Sequence, residues 1–137
     1  MNIIIVGCGR LGVELALSLQ QSHVVTVVDK NAKAFDHLGL NFSGRTVQGE
    51  GLDQSVLKRA GIETADGLAA VTSSDNVNAI VARVAQDVFH VRHVVSRLYN
   101  PRRGQVYTKL NLQTISPSIW GAQQIERMLV EEPGSKE

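Results

Sequence analysis

The stretch "IIIVGCGRLGVELALSL", residues 3–19, passes from aliphatic residues through three glycines into a helical pattern. Its first four residues are continuously apolar, which is typical of a strand covered on both faces, as in a parallel sheet. Leu11, Leu15 and Leu19 then recur at every fourth position, which predicts a helix with one buried side. A strand that turns so directly into a helix is typical of a loop that holds a phosphate.

The alternation of strand and helix continues along the chain. The candidate strands are short, apolar and rich in Val, Ile or Thr: "NIIIVG" (2–7), "HVVTVVD" (23–29), "GRTVQG" (44–49), "GLAAVTS" (67–73), "HVVSRL" (93–98) and "LQTISP" (112–117). Asp53 is a suitable N-cap for one intervening helix. The clearest helix has an apolar stripe formed by Val77, Ile80, Val81, Val84, Ala85 and Val88. This order predicts an α/β fold with a doubly wound, six-stranded, mainly parallel sheet and helices on both faces.

Composition and charge narrow the class of protein. The chain has 137 residues, 43% of them hydrophobic, and a net charge of +1, which indicates one globular domain. Cys8 is the only cysteine, so we expect no internal disulfide, no metal centre and a reducing, cytoplasmic setting. No apolar run approaches the roughly 20 residues of a membrane span, and no basic leader precedes the first strand. The balanced charge favours no nucleic acid partner, and we expect no membrane insertion.

The three glycines form a G-x-G-x-x-G motif, and each has its own role. Gly7 permits a tight turn, Gly9 lets a phosphate approach the backbone, and Gly12 lets the helix pack closely on the strand. The free amides of the first helical turn then bind the phosphate. Asp29 ends the second strand seventeen residues after Gly12, where a carboxylate binds ribose hydroxyls and repels a 2′-phosphate. The sequence therefore predicts NAD, NADH, ATP, ADP or AMP as ligand, in preference to NADP.

Other interpretations of these residues remain open from the sequence. The glycines could serve packing alone, and Asp29 could cap the helical segment "NAKAF" (31–35). Cys8 is expected to point into the sheet as a small apolar filler. Arg10 either reaches a terminal phosphate with its guanidinium or faces solvent.

Several segments together resemble one family. These are "GCGRLG" (7–12), "VVDKN" (27–31), "VQGEGLDQSVLKRAGIETAD" (47–66), "VTSSDNVNAIVARVAQ" (71–86) and "VSRLYNP" (95–101). They resemble the RCK N-terminal domain, also called the TrkA-N or KTN domain, of potassium channel and transporter regulators. The resemblance covers about residues 2–130. It implies a Rossmann domain that binds a regulatory adenine nucleotide or NAD(H) without reaction. It also implies that the domains form homodimers, and that these assemble into rings beneath a membrane potassium channel or transporter.

The resemblance also implies which residues form the nucleotide site. Around the phosphates it places Gly7, Gly9, Arg10, Leu11 and Gly12, and around the adenosine it places Asp29 and Lys30. Gly49, Glu50 and Gly51 occupy the adenine side, where the family commonly has Gly-Asp-Ala. Thr72 and Ser73 follow the fourth strand and would close on the phosphates or a second ribose, while Asp75 and Asn76 are candidates to cap the next helix. Arg97 would lie near the nucleotide or a dimer interface, and the alternative is a salt bridge at the sheet edge.

The C-terminal segment offers more apolar surface than one side of a helix needs. Ile119, Ala122, Ile125 and Leu129 recur at helical spacing, with Trp120 and Met128 beside them. In the family the corresponding helix crosses to a partner subunit, so we expect a dimerisation element; the alternative is a helix that folds back on its own sheet. We expect one domain over residues 1–130 and a flexible tail over 131–137.

An enzyme is the alternative function, namely an NAD-dependent oxidoreductase or a fragment of one. Dehydrogenases of this fold generally take catalytic groups from a second domain, and this sequence has no residues left to form one. The four histidines, His23, His37, His90 and His93, have no Ser or Cys placed as a partner. We therefore predict a non-enzymatic regulator of potassium transport at the inner face of the membrane. Whether it is a free-standing subunit, or a fragment lacking an RCK C-terminal subdomain, stays open from the sequence.

Overall fold

A single parallel sheet organises the molecule. The computed structural model describes residues 1–100, 102 and 104–131, with only the backbone of 105 and 106. Its strands are β1 Asn2–Val6, β2 Val24–Asp29, β3 Arg45–Gln48, β4 Gly67–Ala70, β5 His93–Arg97 and β6 Gln113–Ile115. They lie in the order β3-β2-β1-β4-β5-β6, and every neighbouring pair is parallel. The predicted doubly wound fold is therefore confirmed.

Helices cover both faces of this sheet. The α-helices are α1 Arg10–Leu19, α2 Gln54–Arg59, α3 Asp75–Arg83, α4 Gly104–Lys109 and α5 Pro117–Val130. Short 3₁₀ segments span Ala32–Leu38 and Ile62–Thr64, and a π-helical turn, Val84–Val88, continues α3. The first 3₁₀ segment packs with α1 on one face, around Ile5 and Val27. On the other face, α2 and α3 pack around Ile4 and Leu68. The chain thus changes face between β1 and β4, which opens a crevice at their carboxyl ends.

The buried side of α3 differs from the predicted stripe. Val81 and Ala85 are buried, but Ile80 is 50% exposed and Val88 is 52% exposed. Small residues of α3 lie against the sheet instead, together with the polar Asn78. The stripe prediction was wrong for Ile80 because Asn78, Ala79, Val81 and Ala82 form the buried side of α3 and Ile80 points to the opposite side. It was wrong for Val88 because the π-helical turn changes the helical spacing over Val84–Val88.

The N-caps of two helices agree only in part with the sequence. Asp53 caps α2 as predicted, accepting a hydrogen bond from the Ser55 amide at 2.9 Å. For α3 the cap is Ser74, whose Oγ accepts from the Val77 amide at 3.2 Å. Neither of the two residues expected to cap this helix, Asp75 and Asn76, does so, because both already lie inside the first turn.

Helix α5 stands apart from the core. Pro117 occupies its first turn, where a missing amide hydrogen costs nothing. None of its residues is buried, so the alternative of a helix folded back on its own sheet is wrong. Of the predicted flexible tail, residues 132–137 lie outside the described residues. In the part of the chain that the structure describes, no helix has the length and apolar character to cross a membrane.

Candidate nucleotide-binding cleft

A cleft of about 500 Å³ lies at the carboxyl ends of the strands. Val6, Val28 and Val71 form apolar parts of its wall. The structure brings most of the predicted site residues onto this cleft: Gly7, Gly9, Arg10, Asp29, Lys30, Gly49, Glu50, Gly51, Thr72, Ser73 and Arg97. It does not bring Leu11 and Gly12 there. Leu11 packs against the core under α1, and Gly12 is buried behind the loop.

The three glycines of the loop differ in whether the surrounding structure requires glycine at their positions. Gly7 has a φ of +113°, and an added Cβ would lie 2.8 Å from the Thr72 nitrogen. At Gly12 an added Cβ would collide with the carbonyl oxygen of Gly7. At Gly9 it would enter open space. Packing alone therefore explains Gly7 and Gly12, but it leaves Gly9 without a structural reason.

The start of α1 is arranged to receive an anion. Gly9 is the N-cap residue and provides no side chain to cap the helix, and the first turn has no acidic residue. The amides of a first helical turn have no partner inside the helix, and they carry the positive end of the helix dipole. Gly9 and Arg10 are exposed where this helix start borders the cleft. The guanidinium of Arg10 adds a positive charge there.

Asp29 connects the glycine loop to the end of β2. Its Oδ2 accepts a hydrogen bond from the Cys8 amide at 2.8 Å, and its Oδ1 accepts from the Asn31 amide at 2.8 Å. The cap of the following 3₁₀ segment is Asn31, so the interpretation of Asp29 as a plain helix cap is wrong. An ionised carboxylate offers about four acceptor positions, so Asp29 can still accept hydrogen bonds from a ligand.

Cys8 is a packing residue. Its side chain is 2% exposed within the core under α1, as the sequence predicted, and its thiol donates to the Ala34 carbonyl at 3.3 Å. Burial, followed by the negative charge of Asp29, raises the pKa of the Cys8 thiol from its ordinary value of 9.0 to about 11. The thiol is therefore neutral at physiological pH, and a neutral thiol is a poor nucleophile.

Gly51 is tightly packed on the side of the cleft next to β3. It is buried, and an added Cβ would lie 2.7 Å from Cγ1 of Val6. The alanine that the family commonly has at this position would therefore require Val6 to move. Glu50 beside it is exposed and lines the cleft.

Asn78 organises the other side of the cleft, and sequence analysis did not single it out. Its side chain is fully buried, and its Oδ1 accepts from the amide of Thr72 at 2.8 Å and from its hydroxyl at 2.6 Å. Its Nδ2 donates to the carbonyls of Thr72 at 3.0 Å and Arg97 at 3.1 Å. The carboxyl ends of β4 and β5 are thus joined through one side chain. The available signal was the position of this asparagine between Val77 and Val81, within the apolar pattern of α3.

Arg97 and Tyr99 form the wall of the cleft beyond β5. The guanidinium carbon of Arg97 lies 4.1 Å from the centre of the Tyr99 ring. The Arg97 Nε is buried without a hydrogen-bond partner, and no carboxylate among the described residues forms a salt bridge with this side chain. The sheet-edge salt bridge is therefore wrong as an explanation of Arg97, and β6, not β5, forms that edge. Tyr99 was not predicted as a site residue.

Comparison of the sequence with models of known domain families identifies the family of this chain. The profile of the TrkA-N domain matches residues 3–117. The chain belongs to the TrkA-N family. The resemblance found in the sequence is thereby confirmed, and the TrkA-N match spans the sheet from β1 to β6.

A curated relative and two solved structures are similar to this TrkA-N chain. "Trk system potassium uptake protein TrkA" of Streptomyces coelicolor is 48% identical over 131 residues, which cover 95% of this chain and 59% of the relative. The chain thus spans about three fifths of that protein's length. The TrkA-N domain of the inner membrane protein YbaL from Escherichia coli has a TM-score of 0.82 at 18% identity, covering 93% of this chain and 96% of that one. GsuK bound to ADP has a TM-score of 0.78 at 21% identity, covering 96% of this chain and 34% of that one.

Proposed function

We propose that this TrkA-N chain is a regulatory nucleotide-binding subunit or domain that controls potassium transport. The cleft carries the proposal, because it joins an uncapped helix start behind Gly9 to the carboxylate of Asp29. The name of the Streptomyces relative supports the link to potassium uptake, and the ADP complex of GsuK supports an adenine nucleotide as ligand. The bound nucleotide acts as a signal, and it undergoes no chemical reaction in the cleft.

Each part of an adenine nucleotide has a complementary group in the cleft. The first phosphate lies at the start of α1, near the Gly9 and Arg10 amides. The ribose hydroxyl groups donate hydrogen bonds to the Asp29 carboxylate, and Lys30 lies beside the adenosine. The adenine lies over Gly49, Glu50 and Gly51, next to the end of β3, and Thr72 and Ser73 border the side beyond the first phosphate. This arrangement accommodates AMP, ADP, ATP, NAD and NADH.

Regulation requires more than binding. A ligand shifts a conformational equilibrium only by the difference in its affinity for the two states. We propose that these states are two geometries of a homodimer that forms through α5 and belongs to a larger ring. The domain then extends to about residue 130. We place the protein in the cytoplasm, at the inner face of the membrane, where it binds a potassium channel or transporter subunit.

The alternative of an NAD-dependent oxidoreductase has less support. The cysteine thiol at the cleft is neutral at physiological pH, and no histidine borders the cleft in the part of the chain that the structure describes. No three metal-ligating side chains gather among the described residues. The residues that line the cleft therefore support binding of a nucleotide better than transfer of its hydride or its phosphate.

Thermal unfolding with a panel of AMP, ADP, ATP, NAD, NADH and NADPH tests the proposal. At about a hundred times its dissociation constant, a ligand adds roughly 2.7 kcal/mol to the free energy of unfolding. We expect stabilisation by at least one of the first five ligands and less by NADPH, whose 2′-phosphate meets Asp29. If none of the six raises the unfolding temperature, the proposed function is wrong.

Replacement of Asp29 locates the binding site. Asp29→Asn places an amide group against one of two backbone amides, so the ligand-free protein should lose some stability, and the stabilisation by ligand should fall further. Asp36→Asn is the matched control, because it removes the same charge from an exposed residue of the 3₁₀ segment outside the cleft. Equal ligand affinity in both variants would remove Asp29 from the site.

A further inference from the structure

We propose that Tyr99 determines which adenine nucleotide binds, by holding the Arg97 guanidinium flat for the second phosphate of the ligand. This inference rests on the proposed function and assigns to the cleft an adenosine that carries a diphosphate. Tyr99 acts on the ligand through Arg97, so it is a positioning residue.

The order of strands sets the distance of Arg97 from the rest of the site. Asp29 ends β2, the glycine loop follows β1, Thr72 follows β4, and Arg97 ends β5. Because neighbouring strands are about 4.8 Å apart, Arg97 is about 10 Å from the line of the glycine loop and about 14 Å from that of Asp29. A nucleotide with its ribose at Asp29 and its first phosphate at Gly9 therefore extends its second phosphate towards Arg97.

The guanidinium of Arg97 is prepared for such a group. It stacks on the Tyr99 ring at 4.1 Å, and no carboxylate among the described residues competes for it. A planar guanidinium binds phosphate oxygens through parallel N–H donors, and stacking on an aromatic ring fixes the plane of that fork. Tyr99 is 48% exposed, so its ring is available at the mouth of the cleft rather than committed to the core.

Both halves of this pair are held from α3. The Asp75 carboxylate accepts from the amides of Tyr99 at 2.6 Å and Asn100 at 2.9 Å, which fixes the loop that carries the ring. Asn78 binds the carbonyl of Arg97. Hydrogen bonds from α3 side chains to the backbone of both residues therefore position the Arg97–Tyr99 stack without the help of a ligand.

Charges along the cleft agree with this orientation. Its acidic side chains, Asp29 and Glu50, lie towards β2 and β3 together with the cation Lys30. Arg10 lies at the start of α1 and Arg97 lies at the end of β5, so the positive charge of the cleft lies mainly away from β2 and β3. A ligand with a neutral adenosine and an anionic distal end fits that polarity. ADP meets this description, and so does the adenosine diphosphate half of NADH.

The ratio of ADP to AMP affinity tests the inference. Calorimetric titration of the purified protein with AMP, ADP and NADH should show that Tyr99→Ala weakens ADP about fivefold and leaves AMP unchanged, since the stack is worth about 1 kcal/mol. Tyr99→Phe keeps the ring and should retain the original ratio. Arg97→Lys keeps the charge but loses the fork, and should lower the ratio as Tyr99→Ala does.

The outcomes distinguish a failure of the proposed role of Tyr99 from a failure of the proposed nucleotide-binding function. An equal effect of Tyr99→Ala on AMP and ADP, or no effect on either, overturns the role of Tyr99 while nucleotide binding stands. If the unchanged protein binds none of the three ligands, the proposed function falls, and this inference falls with it. A loss for ADP alone assigns the stack to a free nucleoside diphosphate, and an equal loss for NADH assigns it to the shared pyrophosphate.

Discussion

At the scale of single residues, Gly9 and Gly12 separate ligand binding from folding. An added methyl group at Gly9 enters open space, whereas at Gly12 it meets the backbone of Gly7. Gly9→Ala should therefore cost about 1 kcal/mol or less in the free energy of unfolding, mainly because alanine is a poor N-cap. Gly12→Ala should cost about 3 kcal/mol, as expected for overpacking against rigid backbone.

Ligand affinity should follow the opposite order. The methyl group of Gly9→Ala occupies the space proposed for the first phosphate, so ADP should bind at least about tenfold more weakly, equivalent to about 1.4 kcal/mol. Urea unfolding and calorimetric titration with ADP measure the two effects separately. Full affinity in Gly9→Ala would place the phosphate elsewhere.

The sequence predicted these glycines because their chemistry depends on local neighbours. A turn, a close approach and a free helix start all lie within six residues, so one short motif contains them. Tyr99 was missed for the opposite reason. Its significance comes from a contact with Arg97 and from the Asp75 carboxylate twenty-four residues away, and no local pattern reports such a contact.

At the scale of elements, Asn78 of α3 joins the carboxyl ends of the neighbouring strands β4 and β5. Replacement by alanine leaves the Thr72 amide and the carbonyls of Thr72 and Arg97 without their partner in a buried site. Such groups are costly, so Asn78→Ala should lower the free energy of unfolding by about 3 kcal/mol.

Hydrogen exchange gives this prediction a local readout. The Thr72 amide should exchange faster with solvent in Asn78→Ala, because its acceptor has been removed. Asn41→Ala, a change at an exposed asparagine, should alter neither stability nor exchange at Thr72. If the two variants behave alike in urea unfolding, the ends of β4 and β5 are not held by Asn78.

The elements themselves were largely predictable. Continuous apolar runs identified the inner strands such as β1 and β2, because both faces of a parallel sheet are covered there and no alternation is needed. The edge strands β3 and β6 contain polar, exposed residues and were predicted from short segments that contain Val, Ile or Thr. The α3 surface was not predictable, because apolar spacing does not tell whether alanine or valine lies against the sheet. The buried amide of Asn78 further breaks the assumption that the covered side of a helix is apolar.

At the scale of the whole molecule, α5 carries the proposed dimer. Ile125 is 59% exposed and Leu129 is 79% exposed, one turn apart on the same side of the helix. Ile125→Lys combined with Leu129→Lys should convert a dimer to a monomer of 14.9 kDa, because each lysine would have to be buried in an apolar interface. Sedimentation velocity measures the mass in solution.

A surface control accompanies this measurement. Gln123→Lys adds a lysine to an exposed polar position of the same helix and should leave the mass of a dimer unchanged. A monomeric unchanged protein would contradict the dimer, and so would a dimer that survives both lysines. The sequence showed more apolar residues in α5 than a helix packed on one side needs, and it therefore predicted a dimerisation element. Which surface covers this helix depends on a second molecule, so the sequence of one chain does not identify it.

The bond between Asp29 and the Cys8 amide has a consequence for how fast a nucleotide enters and leaves. Because the Asp29 carboxylate holds the glycine loop through a hydrogen bond within the domain, the proposed site is preorganised, and binding of a nucleotide there should cost little conformational entropy. Arrival is then governed by diffusion and charge, and the different nucleotides compete through their residence times. We therefore expect the proposed sensor to follow changes in cellular nucleotide concentration at the rate at which the bound nucleotide dissociates.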